Sequence, residues 1–123
     1  MLGRVTPHEA YRRVDFDARV NGADSSELVH VCLEQMVGAL GTALHAHGIG
    51  DAALRSRSMT RALTAITALQ MGVSGETAIA SALNQVYAAA RRTILDCSMD
   101  FTPDQVTQLR TDFQEIGQAM QAS

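Results

Sequence analysis

The chain has 123 residues, of which 46% are hydrophobic and only 4% aromatic, and its net charge is −3. This length is sufficient for one domain with its own core, and a core of aliphatic residues and Ala favours packed helices over a β-sandwich. All ten basic residues are arginines, which are scattered along the sequence among acids. Because a nucleic-acid-binding domain typically shows a concentrated basic patch, we expect no nucleic-acid partner.

The hydrophobic runs are short, and none approaches the roughly 18 residues that a membrane-spanning helix requires. The start of the chain, MLGRVTPHEAYRRVDF, lacks the apolar segment of a signal peptide. We therefore expect a cytoplasmic protein without membrane insertion. Cys32 and Cys97 lie within apolar helical patterns, and we predict that both are reduced core residues.

Residues 1–22 combine weak hydrophobic periodicity with mixed charge, which predicts a loosely attached N-terminal segment with a short helix beginning at Pro7. A capping-box pattern follows, in which Asp24 precedes Glu27 by three residues. From there, apolar residues recur at three- and four-residue spacing to about His47. This pattern predicts the first long helix.

Asp51 is expected to cap a second helix after the glycines of HGIGD. Its arginines fall mostly on the outer face, and its predicted inner face consists of Met59, Ala62 or Leu63, Ile66 and Leu69.

A third helix is predicted after GVSGE, and it continues to about Cys97. The start of a fourth is marked by the hydroxyl of Thr102 as a cap and by Pro103 at the first helical position. The large residues of the third helix are expected to face the core as one stripe, comprising Ile79, Leu83, Val86, Ala90 and Ile94. In the fourth helix the stripe comprises Val106, Leu109, Phe113, Ile116 and Met120.

The links between the four helices are short, so that sequential neighbours should run antiparallel. The sequence therefore predicts an all-α fold, an antiparallel up-down four-helix bundle formed by residues 23–123.

Catalytic motifs are lacking: the sequence contains no G-x-S-x-G, P-loop or G-x-G-x-x-G pattern. Glu27 and His30 form a single Glu-x-x-His step, whereas di-iron bundles use two such steps with two further glutamates. We therefore predict no enzyme activity and no cofactor. A small helical metal protein or enzyme that uses these two residues is the remote alternative.

Three stretches carry a resemblance to a known family. They are AYRRV with Tyr11, ADSSELVHVCLEQMVGAL in the first long helix, and IASALNQVY from Ile79 to Tyr87. They resemble the N-terminal Ala-Tyr segment, the SP-x-x-L helix start and the IA-x-N-L-x-x-L-Y run of FliS, the flagellin-specific export chaperones. The sequence departs from that pattern at Ser25, where the family has proline, and at Ala82, where it has asparagine.

The resemblance implies a cytoplasmic chaperone that binds the C-terminal segment of newly made flagellin, prevents premature polymerisation and aids flagellar type III export. It also implies contact with components of the export apparatus and an N-terminal segment that covers the binding groove through Tyr11. An apolar groove between helices suits a peptide that folds on binding. The resemblance places Leu33 and Met36 in one wall of the groove, and we expect the other wall to involve Ile79, Ala82, Leu83, Val86 and Tyr87. The alternative is a helical-bundle adaptor or regulator for another secretion or signalling protein.

Overall fold

A computed structural model describes residues 25–73, 75 and 77–122. It contains four helices, which are α1 (Ser25–Gly48), α2 (Ala52–Gly72), α3 (Ala78–Met99) and α4 (Pro103–Ala122). The predicted all-α fold and the four helices are confirmed. The N-terminal segment, residues 1–22, and the predicted cap Asp24 lie outside the described residues.

The helices contact one another in a closed cycle, in which α1 packs on α2, α2 on α3, α3 on α4 and α4 on α1. The contact between α3 and α4 is the smallest of the four. Because each helix follows its neighbour through a short link, the topology is up-down-up-down. Within the described residues α1 and α3 are diagonal partners that do not pack directly on each other.

Local chemistry at the links explains where α2 and α3 begin. Gly50 turns the chain with a φ of 74°, a left-handed conformation that favours glycine. The Asp51 carboxylate then accepts a hydrogen bond from the Leu54 N–H at 3.0 Å, as predicted for a cap. Thr77 caps α3 in the same way by accepting from the Ala80 N–H at 3.1 Å.

The cap predicted for α4 differs from the structure in its hydrogen bonding. The Thr102 hydroxyl donates to the Asp100 carbonyl at 3.2 Å, and its own carbonyl accepts from the Val106 N–H at 3.1 Å. Pro103 is nevertheless the first helical residue, as predicted. The fixed φ of proline and its missing N–H suit that position without a side-chain cap.

The core is formed by aliphatic side chains and many alanines, as its composition predicted. Small residues dominate where α1 faces α2, which lets the two backbones approach closely. The stripe predicted for α2 is confirmed, and in α4 Val106, Leu109 and Phe113 are buried whereas Met120 is 40% exposed. Both cysteines are free thiols. Burial raises the pKa of the Cys32 thiol, which favours its protonated form.

Candidate functional site

Helix α3 has two apolar stripes side by side, and the predicted core stripe is confirmed at Ala90 and Ile94 but wrong at Ile79 and Val86. Ile79 is 75% exposed and Val86 is 42% exposed, so neither belongs to the core. Leu83 is half-buried and packs against the core. In the first half of the helix the buried stripe lies one position further along, at Ala80 and Tyr87, and it continues through the predicted Ala90 and Ile94 to Cys97.

The exposed stripe, which we call the α3 strip, consists of Ile79, Ala82 and Val86. Each of these residues precedes a core-facing position by one, which places the strip about 100° around the helix from the core. The opposite flank of α3 faces α2, since the Arg91 guanidinium donates to the Thr67 hydroxyl at 3.4 Å. The α3 strip therefore lies on the side of the helix that faces α4.

The facing side of α4 is polar. Gln105 accepts a weak hydrogen bond from the Cys97 thiol at 3.7 Å, which fixes this side of α4 against α3. One and two turns further on, Gln108 donates to Asp112 at 2.8 Å, and Glu115 follows on the same side, exposed. The seam between the two helices is thus flanked by the apolar α3 strip on one side and by the amide and carboxylate side chains of α4 on the other. We call it the α3–α4 seam.

Aromatic side chains close the bottom of the α3–α4 seam. Tyr87 is 2% exposed, and its ring lies 6.3 Å from that of Phe113, centroid to centroid, at an interplanar angle of 32°. This tilted, offset arrangement is a favourable one for two rings. Tyr87, predicted to border a groove, is therefore part of the core beneath the seam.

A second depression lies on the other side of α4, between α4 and α1. Two adjoining cavities of about 330 and 390 Å³ share Val37 and Gly38 in their linings. Gly38 and Gly117 leave open space, since a Cβ added at either would meet no atom within 4 Å. This α1–α4 groove was missed by the sequence-based analysis, although glycines in helix interiors are a signal for close approach or an open surface.

Arg110 closes one end of the α1–α4 groove. Its guanidinium lies over Gly41, where an added Cβ would come within 3.2 Å of Nε. The Nε atom is buried and has no hydrogen-bond partner among the described residues. A side chain at this position would require Arg110 to shift by a few tenths of an ångström.

The structure does not gather all of the predicted groove residues on one surface. Leu33 is 2% exposed and Met36 is fully buried, and both lie on α1, diagonally across the bundle from α3. Ile79, Ala82 and Val86 are exposed together on one face, whereas Leu83 and Tyr87 lie beneath it. Tyr11 lies outside the described residues.

The histidine of the Glu-x-x-His step contacts other side chains. His30 Nε2 lies 3.5 Å from the Glu34 carboxylate and 3.2 Å from the Gln121 amide nitrogen. Among the described residues, no group of three or more His, Cys, Asp or Glu side chains could hold a metal ion. In the same part of the chain, no helix is long and apolar enough to cross a membrane.

Comparison with known proteins gives one match that covers nearly the whole chain. The model of the family described as "Flagellar protein FliS" matches residues 7–122. No curated protein matches the chain. The matched region includes all four helices and all three stretches on which the sequence resemblance rests.

Proposed function

The chain belongs to the FliS family of flagellar export chaperones, and we propose that its cargo is the C-terminal segment of unassembled flagellin. Binding takes place in the bacterial cytoplasm, prevents premature polymerisation and keeps the cargo available for type III export. Components of the export apparatus receive the loaded chaperone. The family is one of chaperones rather than enzymes, and the proposal requires no catalysis and no cofactor.

The α3 strip is the observation that carries this proposal. Large side chains such as Ile79 are normally turned inward in so small a bundle, yet Ile79 and Val86 are both exposed, two turns apart on one helix face. Burying a fully exposed side chain of this kind contributes about 1.5–3 kcal/mol, so a partner that covers the exposed part of Ile79 and Val86 gains a fraction of that from each. The area is small, so affinity requires a partner that also contacts neighbouring surfaces.

The polar wall of the α3–α4 seam indicates how the partner lies. An amphipathic helix can place its apolar face on the α3 strip while polar or basic side chains face Asp112 and Glu115. These carboxylates are exposed, so they contribute orientation more than affinity.

The α1–α4 groove offers a second contact for a long partner. It flanks α4 on the side opposite the α3–α4 seam, and its lining includes apolar side chains such as Leu33, Val37 and Phe113. A segment that is disordered before binding loses conformational entropy when it folds, and it therefore needs an extended contact surface. We propose that the cargo contacts both depressions by passing around α4.

The α3 strip is tested by a pair of variants on adjacent residues. Val86→Glu places a carboxylate on the α3 strip, whereas Gln85→Glu adds the same charge on the exposed face next to it. We expect Val86→Glu to weaken binding of a flagellin C-terminal peptide at least about tenfold, because a charge is desolvated where apolar contact was made. Gln85→Glu should change the affinity by less than about twofold.

Calorimetric titration measures both affinities, and circular dichroism checks that each variant keeps its helical fold. Equal affinities of the two variants for the peptide, with both folded, would show that the α3 strip is not the binding surface.

A further inference from the structure

The α1–α4 groove has a side-chain contact between the two helices at each end. At one end the Gln121 amide nitrogen lies 3.2 Å from His30 Nε2. At the other end Arg110 Nε would lie 3.2 Å from a Cβ added at Gly41. On each helix the two contacting residues are 11 positions apart. Both contacts therefore belong to one antiparallel register of α1 and α4, and a rise of 1.5 Å per residue separates them by about 16 Å.

Between these two contacts the groove is open and partly apolar. The cavities of about 330 and 390 Å³ adjoin at Val37 and Gly38. A Cβ at Gly38 or Gly117 would meet no atom within 4 Å, so both positions leave room for a ligand. A length of about 16 Å corresponds to about three turns of helix or about five extended residues. A peptide segment of that length fits between the two contacts.

Arg110 brings a positive charge without a partner into this groove. Its side chain is half-buried, its Nε has no hydrogen-bond partner, and it forms no ion pair with a carboxylate of the described residues. The cavity of about 390 Å³ is lined by Arg110, Thr42 and His45 but by no Asp or Glu from the part of the chain that the structure describes. A partly desolvated guanidinium without an acceptor costs free energy. A bound carboxylate supplies both the acceptor and the opposite charge.

The other end of the groove carries an acid. Glu34 lies one turn from His30, with its carboxylate 3.5 Å from His30 Nε2, and its side chain is 67% exposed. A helix has a partial positive charge at its N-terminus and a partial negative charge at its C-terminus. A helical segment in the groove is therefore favoured with its N-terminus near Glu34 and its C-terminus near Arg110.

We propose that the guanidinium of Arg110 binds the C-terminal carboxylate of the cargo, so that the flagellin chain ends in the α1–α4 groove. The inference rests on the function proposed above, in which the cargo is a C-terminal segment. Such a segment ends in a carboxylate whatever its sequence. Arginine suits this role because its planar guanidinium binds a carboxylate through two parallel N–H donors. The end of the groove at Arg110 suits a chain terminus, because no further residue has to pass that side chain.

The test uses the full-length protein and two forms of one flagellin C-terminal peptide, which end in a free carboxylate or in a carboxamide. Calorimetric titration measures the affinity for each form, and the ratio of the two affinities reports the contribution of the terminal charge. For the unsubstituted protein we expect the free acid to bind about tenfold more tightly than the amide, because the amide lacks the charge that strengthens the hydrogen bonds to arginine.

Substitutions of Arg110 show where the terminal carboxylate binds. In Arg110→Gln the two affinities should agree within about twofold, and Arg110→Lys should give an intermediate ratio, because lysine keeps the charge but lacks the planar fork. The ratio is taken within each variant, so a general change in the shape of the groove affects both peptides alike. Arg61→Gln is the matched control, since it removes the same charge from an exposed site on α2, diagonally across the bundle from α4, and should keep the original ratio. Circular dichroism checks that each variant remains folded.

Equal binding of the acid and the amide by the unsubstituted protein would overturn the inference about Arg110. So would a ratio that Arg110→Gln leaves unchanged, because the carboxylate would then bind elsewhere or Arg110 would contact another part of the peptide. Both results leave the cargo proposal standing, since the peptides still bind. If neither peptide binds the unsubstituted protein, the cargo proposal is contradicted, and the inference about Arg110 fails with it.

Discussion

Individual glycines determine the shape of the α1–α4 groove, and two of them in the same helix have different surroundings. Gly38 faces open space, whereas a Cβ on Gly41 would lie 3.2 Å from Arg110 Nε. Alanine is favoured over glycine in a helix interior by about 0.5–1 kcal/mol when nothing obstructs the added methyl group.

Gly38→Ala should therefore raise the free energy of unfolding by about 0.5–1 kcal/mol. Gly41→Ala should gain less or lose stability, because the Arg110 side chain must move. Urea denaturation followed by circular dichroism measures both values. An equal gain in the two variants would mean that Arg110 does not pack on Gly41 in solution.

At the level of single residues, the sequence shows which positions of a helix are apolar, but it is less informative about which of them face the core. On α3, the stripes that include Val86 and Tyr87 are both apolar and lie only about 100° apart, so hydrophobic periodicity fits either one. The structure buries Tyr87, which has the larger apolar area and finds Phe113 as a partner. Leu83 is compatible with both stripes, and it lies between core and surface.

The boundaries of the helices follow from local signals and were largely predictable. Asp51, the glycines of HGIGD and Pro103 act through backbone hydrogen bonds or fixed φ values that depend on few other residues. The pairing of the helices depends on all four at once. The groove implied by the family resemblance included Leu33 and Met36, but α1 lies diagonally across the bundle from α3.

The N-terminal segment is the element for which the family resemblance makes the clearest prediction. If Tyr11 and its neighbours cover the cargo surface when flagellin is absent, removing residues 1–18 abolishes a competitor for that surface. Affinity for a flagellin C-terminal peptide should then increase or stay unchanged, as measured by calorimetry on the truncated and full-length chains. A large loss of affinity, with the bundle still folded, would contradict a covering role.

At the level of the whole molecule, the bundle presents chemically different surfaces on different sides. The α3–α4 seam and the α1–α4 groove flank α4 on its two sides. The seam pairs an apolar wall with a polar one, whereas the groove is opened by Gly38 and Gly117. The proposed path of the cargo around α4 contacts both surfaces.

The central claim is that this FliS-family chain binds the C-terminal segment of flagellin through apolar surface beside α4, and one titration tests it most directly. Calorimetry of the full-length protein with a peptide of the last few dozen residues of its own organism's flagellin, at several temperatures, gives affinity, stoichiometry and heat-capacity change. We predict one-to-one binding with a negative heat-capacity change, as expected when apolar surface is buried and a disordered segment folds. No binding at micromolar protein, or binding without a heat-capacity change, would contradict the claim.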